Sequence, residues 1–72
     1  MAAPSELRLA TEIAAQFKHL PTEEGAAAVA AHVRRFWDPR MRARLINEVA
    51  RTREDCDPLV VAAVRVLEHV SH

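Results

Sequence analysis

The hydrophobic positions of this chain recur at helical spacing in four segments, which prolines separate from one another. The first segment predicts a helix over about residues 6–19, which Ser5 caps and Pro21 ends. Its apolar side consists of Leu9, Ile13, Phe17 and Leu20. The second segment predicts a helix that Thr22 caps. The apolar side of this helix consists of Ala26, Val29, Ala30, Val33 and either Phe36 or Trp37.

Two Asp-Pro pairs, Asp38-Pro39 and Asp57-Pro58, predict the starts of two further helices. Aspartate caps exposed N–H groups, and proline at the first helical position needs no donor. These helices are expected over about residues 39–53 and 58–70. The pattern therefore predicts an all-α fold, a small bundle of three to four short helices that forms a single domain over residues 1–72.

The fourth predicted helix offers more apolar surface than one side of a helix can bury. Val61, Ala62 and Val66 widen its apolar side until few polar positions remain. A helix that is apolar over most of its circumference is normally buried on several sides, which a domain of this size does not provide. We therefore expect a partner subunit to complete the bundle in part. The alternatives are that these valines are scattered surface residues, or that this β-branched segment forms a strand.

Composition also favours a partner. Of the 72 residues, 36 are hydrophobic and 14 of those are alanine, so the core is expected to be thin. The net charge is zero, which argues against a general nucleic-acid binder. The chain has a single cysteine, no signal-like start and no run of about 18 uncharged apolar residues, so we expect a cytoplasmic protein without membrane contact.

Positive charge is concentrated in one segment, residues 34–53, which carries seven arginines against two carboxylates. Arg40 and Arg42 fall in the first turn of the third helix, where the helix dipole repels a cation by about 0.3–1 kcal/mol. Three explanations compete. Trp37 stacks on Arg42, or the segment binds a protein, or the two helices form a helix-turn-helix-like nucleic-acid-binding unit. We favour the protein partner, with local packing alongside it.

The candidate partner-binding residues belong to this aromatic and arginine-rich segment and to the fourth helix. Aromatic residues and arginine are enriched where protein interfaces concentrate their binding energy. We expect Phe36 and Trp37 to anchor the partner and the arginines to pair with its carboxylates or backbone carbonyls. The candidates are His32, Arg34, Arg35, Phe36, Trp37, Arg40, Met41, Arg42, Val61 and Val66.

The residue types that carry out catalysis do not assemble into a recognisable set. Cys56 lies between two aspartates that disfavour its thiolate, and we expect it to pack against Val61. His69 and His72 lie one turn apart, but two ligands do not make a zinc site. Gly25 stands alone and forms no phosphate-binding loop. We predict no catalytic, cofactor-binding or metal-binding residue in this chain, which is therefore not expected to be an enzyme.

Three segments carry a resemblance to a known family: residues 9–17, residues 27–42 and residues 57–60. The most specific part is the run Phe36-Trp37-Asp38-Pro39-Arg40-Met41-Arg42. In these segments the chain resembles the small delta subunit of cytoplasmic, NAD-dependent, molybdenum-containing formate dehydrogenases.

The resemblance implies a non-catalytic accessory subunit that supports assembly, molybdenum-cofactor loading or stability of the catalytic alpha subunit. The implied partners are this alpha subunit and the beta and gamma subunits. Molybdenum cofactor, iron–sulfur clusters, FMN and NAD are expected in those subunits and not in this chain. The alternative function is that of a small helix-turn-helix-like nucleic-acid-binding protein.

Overall fold

Four α-helices make up the described part of the chain. A computed structural model describes residues 5–70, with Ser5 and Val70 described by their backbone alone. The helices are α1 (Ser5–Ala15), α2 (Thr22–Phe36), α3 (Pro39–Thr52) and α4 (Pro58–Val70), and a short 3-10 turn (Arg53–Asp55) follows α3. No residue within 5–70 lies in a strand, so the prediction of an all-α fold is confirmed.

The starts of α3 and α4 lie where the two Asp-Pro pairs predicted them. The Asp38 carboxylate accepts a hydrogen bond from the backbone N–H of Met41 at 3.0 Å. In the same way, the Asp57 carboxylate accepts one from the N–H of Leu59 at 2.8 Å. Each carboxylate thus satisfies a donor that the first helical turn leaves without an intrahelical partner.

The first helix is shorter than predicted. It ends at Ala15, and the chain continues through turns over residues 16–19. The N–H of Phe17 donates to the Ala14 carbonyl at 2.9 Å, a bond that reaches back three residues and tightens the end of the helix. The predicted cap at the other end, Ser5, lies outside the described side chains.

The prediction that Thr22 caps α2 is wrong. Thr22 is the first residue of the helix, and Pro21 occupies the N-cap position without a side-chain hydrogen bond. The N–H of Gly25 donates to the Pro21 carbonyl at 2.8 Å, which already closes the first helical turn. The helix therefore starts one residue earlier than a cap at Thr22 would allow.

The contact between α2 and α4 is the most extensive in the fold. Both helices bury small residues: Ala30 of α2 and Ala63 of α4 are each 1% exposed. A Cβ atom at Gly25 would lie 3.1 Å from Leu59 Cδ1 and 3.2 Å from the Phe17 carbonyl oxygen. Gly25 therefore serves close packing of α2 against its neighbours, which explains why this one position lacks a side chain.

The hydrophobic core draws on all four helices. Ala10 and Ala14 enter it from α1, and the residue that follows α2, Trp37, also belongs to it. The largest fully buried side chains are Leu45, Val29, Val33, Val49 and Val60. Alanine and valine make up most of the buried core, so most of its side chains are small, as the alanine-rich composition predicted.

An ion pair between Lys18 and Asp57 joins the loop after α1 to the start of α4. The hydrogen bond from Lys18 lowers the pKa of the Asp57 carboxyl from its ordinary value of 3.8; partial burial opposes this shift, and the Leu59 N–H adds to it. The folded carboxyl then holds a proton less readily than the unfolded one. Its contribution to stability is therefore complete above roughly pH 5 and is lost as the pH falls through the lowered pKa.

Acid titration of the Asp57→Asn variant tests this contribution. Between about pH 6 and pH 2, we expect the difference in unfolding free energy between the native chain and the variant to shrink steadily. Urea unfolding at each pH measures this difference. Lys18→Met is the control because it removes the ion pair and keeps the cap. The unfolding free energy of this variant should depend less on pH than that of the native chain. A difference that does not change with pH would contradict the assignment.

Candidate partner-binding site

The last turn of α2 and the first turn of α3 meet at a tight corner, which we define as residues 32–42. Only Trp37 and Asp38 separate the two helices. The backbone of Trp37 is extended, and its N–H donates to the Val33 carbonyl at 2.9 Å, which closes the end of α2. Asp38 then caps α3. Because the connection is so short, the end of α2 and the start of α3 lie close together.

Phe36 is the most exposed large hydrophobic residue of the described chain, at 67%. The His32 ring lies beside it, with 4.8 Å between ring centroids and 42° between ring planes. On the same ring, the Arg35 guanidinium carbon lies 5.7 Å from the centroid, within the range of a cation–π contact. These three side chains form an aromatic and cationic group on the last turns of α2. The sequence pattern left open whether this ring belonged to the core.

Trp37 takes the opposite direction and belongs to the core, where it is 8% exposed. Our interpretation of Trp37 as a partner anchor changes accordingly, because so little of its side chain remains for a partner to touch. The suggested stacking of Trp37 on Arg42 is wrong as well. Within residues 5–70 the cation–π contact joins Arg35 to Phe36, the residue before Trp37.

The corner arginines have no carboxylate partner within the described chain. Arg34, Arg35 and Arg40 are exposed, and Arg42 is half-buried. By contrast, several cations elsewhere are paired. Among these is Arg44, which lies 3.0 Å from Glu6 on α1. Outside the corner, the arginines that likewise lack an ion pair within residues 5–70 are Arg53 and Arg65.

The position of Arg40 and Arg42 works against the stability of α3. The first turn of this helix contains no acidic residue, although the positive end of the helix dipole favours carboxylates there. Asp38 is the nearest acid along the chain, and its side chain is occupied by the capping bond to Met41. Local stability therefore does not explain these arginines. A local rule broken without compensation is typical of a functional position.

The remaining candidates lie at the edge of the core. Met41, Val61 and Val66 are partly buried and pack against it. The wide apolar side of α4 is thus taken up largely by the chain itself, mainly through its contact with α2. The apolar surface that α4 leaves exposed is therefore smaller than the sequence suggested. Phe36 on α2 exposes more of its side chain than these valines do.

The groups considered for metal or thiol chemistry are dispersed. No three His, Cys, Asp or Glu side chains of residues 5–70 gather in a way that would hold a metal ion. Cys56 is half-buried against the core, and its Sγ lies 3.2 Å from the Thr52 carbonyl oxygen. His69 is exposed, and His72 lies outside the described residues. None of the described helices is long and apolar enough to span a bilayer.

The fold and the corner define a small all-α protein whose distinctive surface combines arginines with an exposed aromatic ring, the composition of a protein-binding surface. A family model for the NADH-dependent formate dehydrogenase delta subunit FdsD matches residues 7–64 and includes the whole corner. The chain belongs to this family, as its resemblance indicated. No curated protein and no solved structure shows significant similarity to it.

Proposed function

We propose that this chain is a non-catalytic accessory subunit of a cytoplasmic, NAD-dependent formate dehydrogenase. In this role it binds the catalytic alpha subunit, with the beta and gamma subunits in the same complex. It supports assembly, molybdenum-cofactor loading or stability of the alpha subunit. The molybdenum cofactor, iron–sulfur clusters, FMN and NAD are held by those other subunits.

Membership of the delta-subunit family carries this proposal, because a subunit acts through its contacts with other chains. Two features of the structure support it. The corner presents an exposed Phe36 among arginines that lack partners in the described chain. The core consists mostly of alanine and valine, so contact with a larger protein would add to its limited stability.

Affinity isolation of the tagged full-length chain from its native cells tests the proposal. We expect the alpha subunit to accompany the chain in a fixed ratio, together with molybdenum and iron in the isolated material. Cells that lack this chain should contain less active dehydrogenase. Measuring the amount of alpha subunit and its molybdenum content separately then distinguishes stabilisation of the protein from cofactor loading.

Two results would contradict the proposal. One is isolation of the chain without any dehydrogenase subunit. The other is unchanged amount, molybdenum content and activity of the dehydrogenase in cells that lack the chain. Binding to mixed-sequence DNA that weakens steeply as salt rises would instead favour the nucleic-acid alternative.

A further inference from the structure

We infer that the α2–α3 corner binds an acidic surface of the dehydrogenase that also contains an apolar pocket for Phe36. The inference rests on the proposed function and specifies the chemistry of its partner. Phe36 is 67% exposed, and the cations nearest to it along the chain have no carboxylate partner within residues 5–70. Burial of the ring removes apolar surface from water, and carboxylates around it would neutralise the arginines.

Charge complementarity determines the sign of the partner surface. Arg34 and Arg35 lie in the last turn of α2, and Arg40 and Arg42 lie in the first turn of α3. The single acid between them, Asp38, is engaged in capping. The N-terminus of α3 adds its own partial positive charge at the same place. A carboxylate on the partner would therefore meet several donors and a favourable dipole.

A protein fits the corner better than a nucleic acid. The cationic region is small, and the chain as a whole has no net charge, so it lacks the broad positive field that attracts nucleic acids. The exposed ring of Phe36 in this region lies against His32, with 4.8 Å between their centroids. An exposed aromatic ring in contact with an arginine, in a segment with three further arginines, has the composition of a protein–protein interface.

The Arg40→Glu variant separates binding from folding. Glutamate in the first turn of α3 is favoured by the helix dipole, so the melting temperature of the variant should equal or exceed that of the native chain. Its contact with an acidic partner becomes repulsive. We therefore expect the variant to capture at least about tenfold less alpha subunit per tagged chain, although it folds as well or better.

Two further variants complete the design. Phe36→Ala should lower capture by about 30-fold, while the helical circular dichroism stays unchanged because the ring is exposed. Arg53→Glu makes the same charge change at an exposed arginine without an ion pair in the described chain. It lies directly after the far end of the 14-residue α3, in the 3-10 turn, roughly 20 Å from the corner. This control should change capture by less than about twofold.

The measurement uses tagged full-length chains in native cells from which the untagged copy has been removed. Captured dehydrogenase subunits are quantified at several salt concentrations, and native capture should fall with rising salt more steeply than that of Arg40→Glu. Equal capture by the native chain, Arg40→Glu and Phe36→Ala would overturn the inference and leave the proposed function intact. Nuclease-sensitive capture, or a corner that binds mixed-sequence DNA, would also overturn it. No capture by the native chain would refute both proposals.

Discussion

Replacing Trp37 with alanine should lower the free energy of unfolding by about 3–5 kcal/mol. The indole is 8% exposed and packs in the core, so the substitution removes one of the largest apolar side chains of the chain and leaves a cavity behind. A domain of 72 residues is stable by only about 4–11 kcal/mol in total. We therefore expect Trp37→Ala to be marginally folded or unfolded. Urea and thermal unfolding followed by circular dichroism would measure its loss of stability.

The neighbouring aromatic residue is the matched control. Phe36→Ala should change stability by no more than about 0.5 kcal/mol because most of the ring is already in water. We expect the two adjacent substitutions to affect different properties. Trp37→Ala acts on folding, and Phe36→Ala acts on capture of the dehydrogenase. Equal stability of the two variants would show that Trp37 does not belong to the core.

Replacing Leu45 with alanine should lower the free energy of unfolding by about 2–5 kcal/mol. Leu45 is the largest of the fully buried side chains and is 1% exposed. It lies on α3, the helix whose first turn carries the unfavourably placed Arg40 and Arg42. Because the surrounding core consists mostly of alanine and valine, few long side chains are available to fill the cavity. We accordingly expect a value in the upper half of this range, measured by urea unfolding.

Leu9→Ala provides the same chemical change at a residue that is 41% exposed. Its cost should be below about 1 kcal/mol, since less apolar surface leaves contact with the protein. Should Leu45→Ala prove no more destabilising than Leu9→Ala, the packing of α3 described above would be wrong.

The parts of the fold that depend on local chemistry were predictable from the sequence. Asp38 and Asp57 cap the helices that their Asp-Pro pairs predicted, because a cap bond joins groups only two or three residues apart. The end of α1 and the start of α2 were predicted less well. The loop between them is held by Lys18, whose partner Asp57 lies 39 residues away, and a local pattern contains no information about such a contact.

The candidate site shows the same division. The pattern placed the arginines of the corner at the ends of α2 and α3, and it identified the unfavourable position of Arg40 and Arg42 in the helix dipole. The absence of carboxylate partners within residues 5–70 emerged only from the structure. The pairing of Arg44 with Glu6 likewise depends on how α1 packs against α3, because these residues are 38 positions apart.

The sequence by itself determined the helical class, the two capped helix starts and the family to which the chain belongs. Tertiary structure alone decided which of two adjacent rings is buried. Helical spacing allowed either Phe36 or Trp37 to continue the apolar side of α2, since residues three and four positions after Val33 lie on the same side. The helix ends at Phe36, and the extended backbone of Trp37 directs the indole into the core. Phe36 is thereby left largely in water, in contact with Arg35.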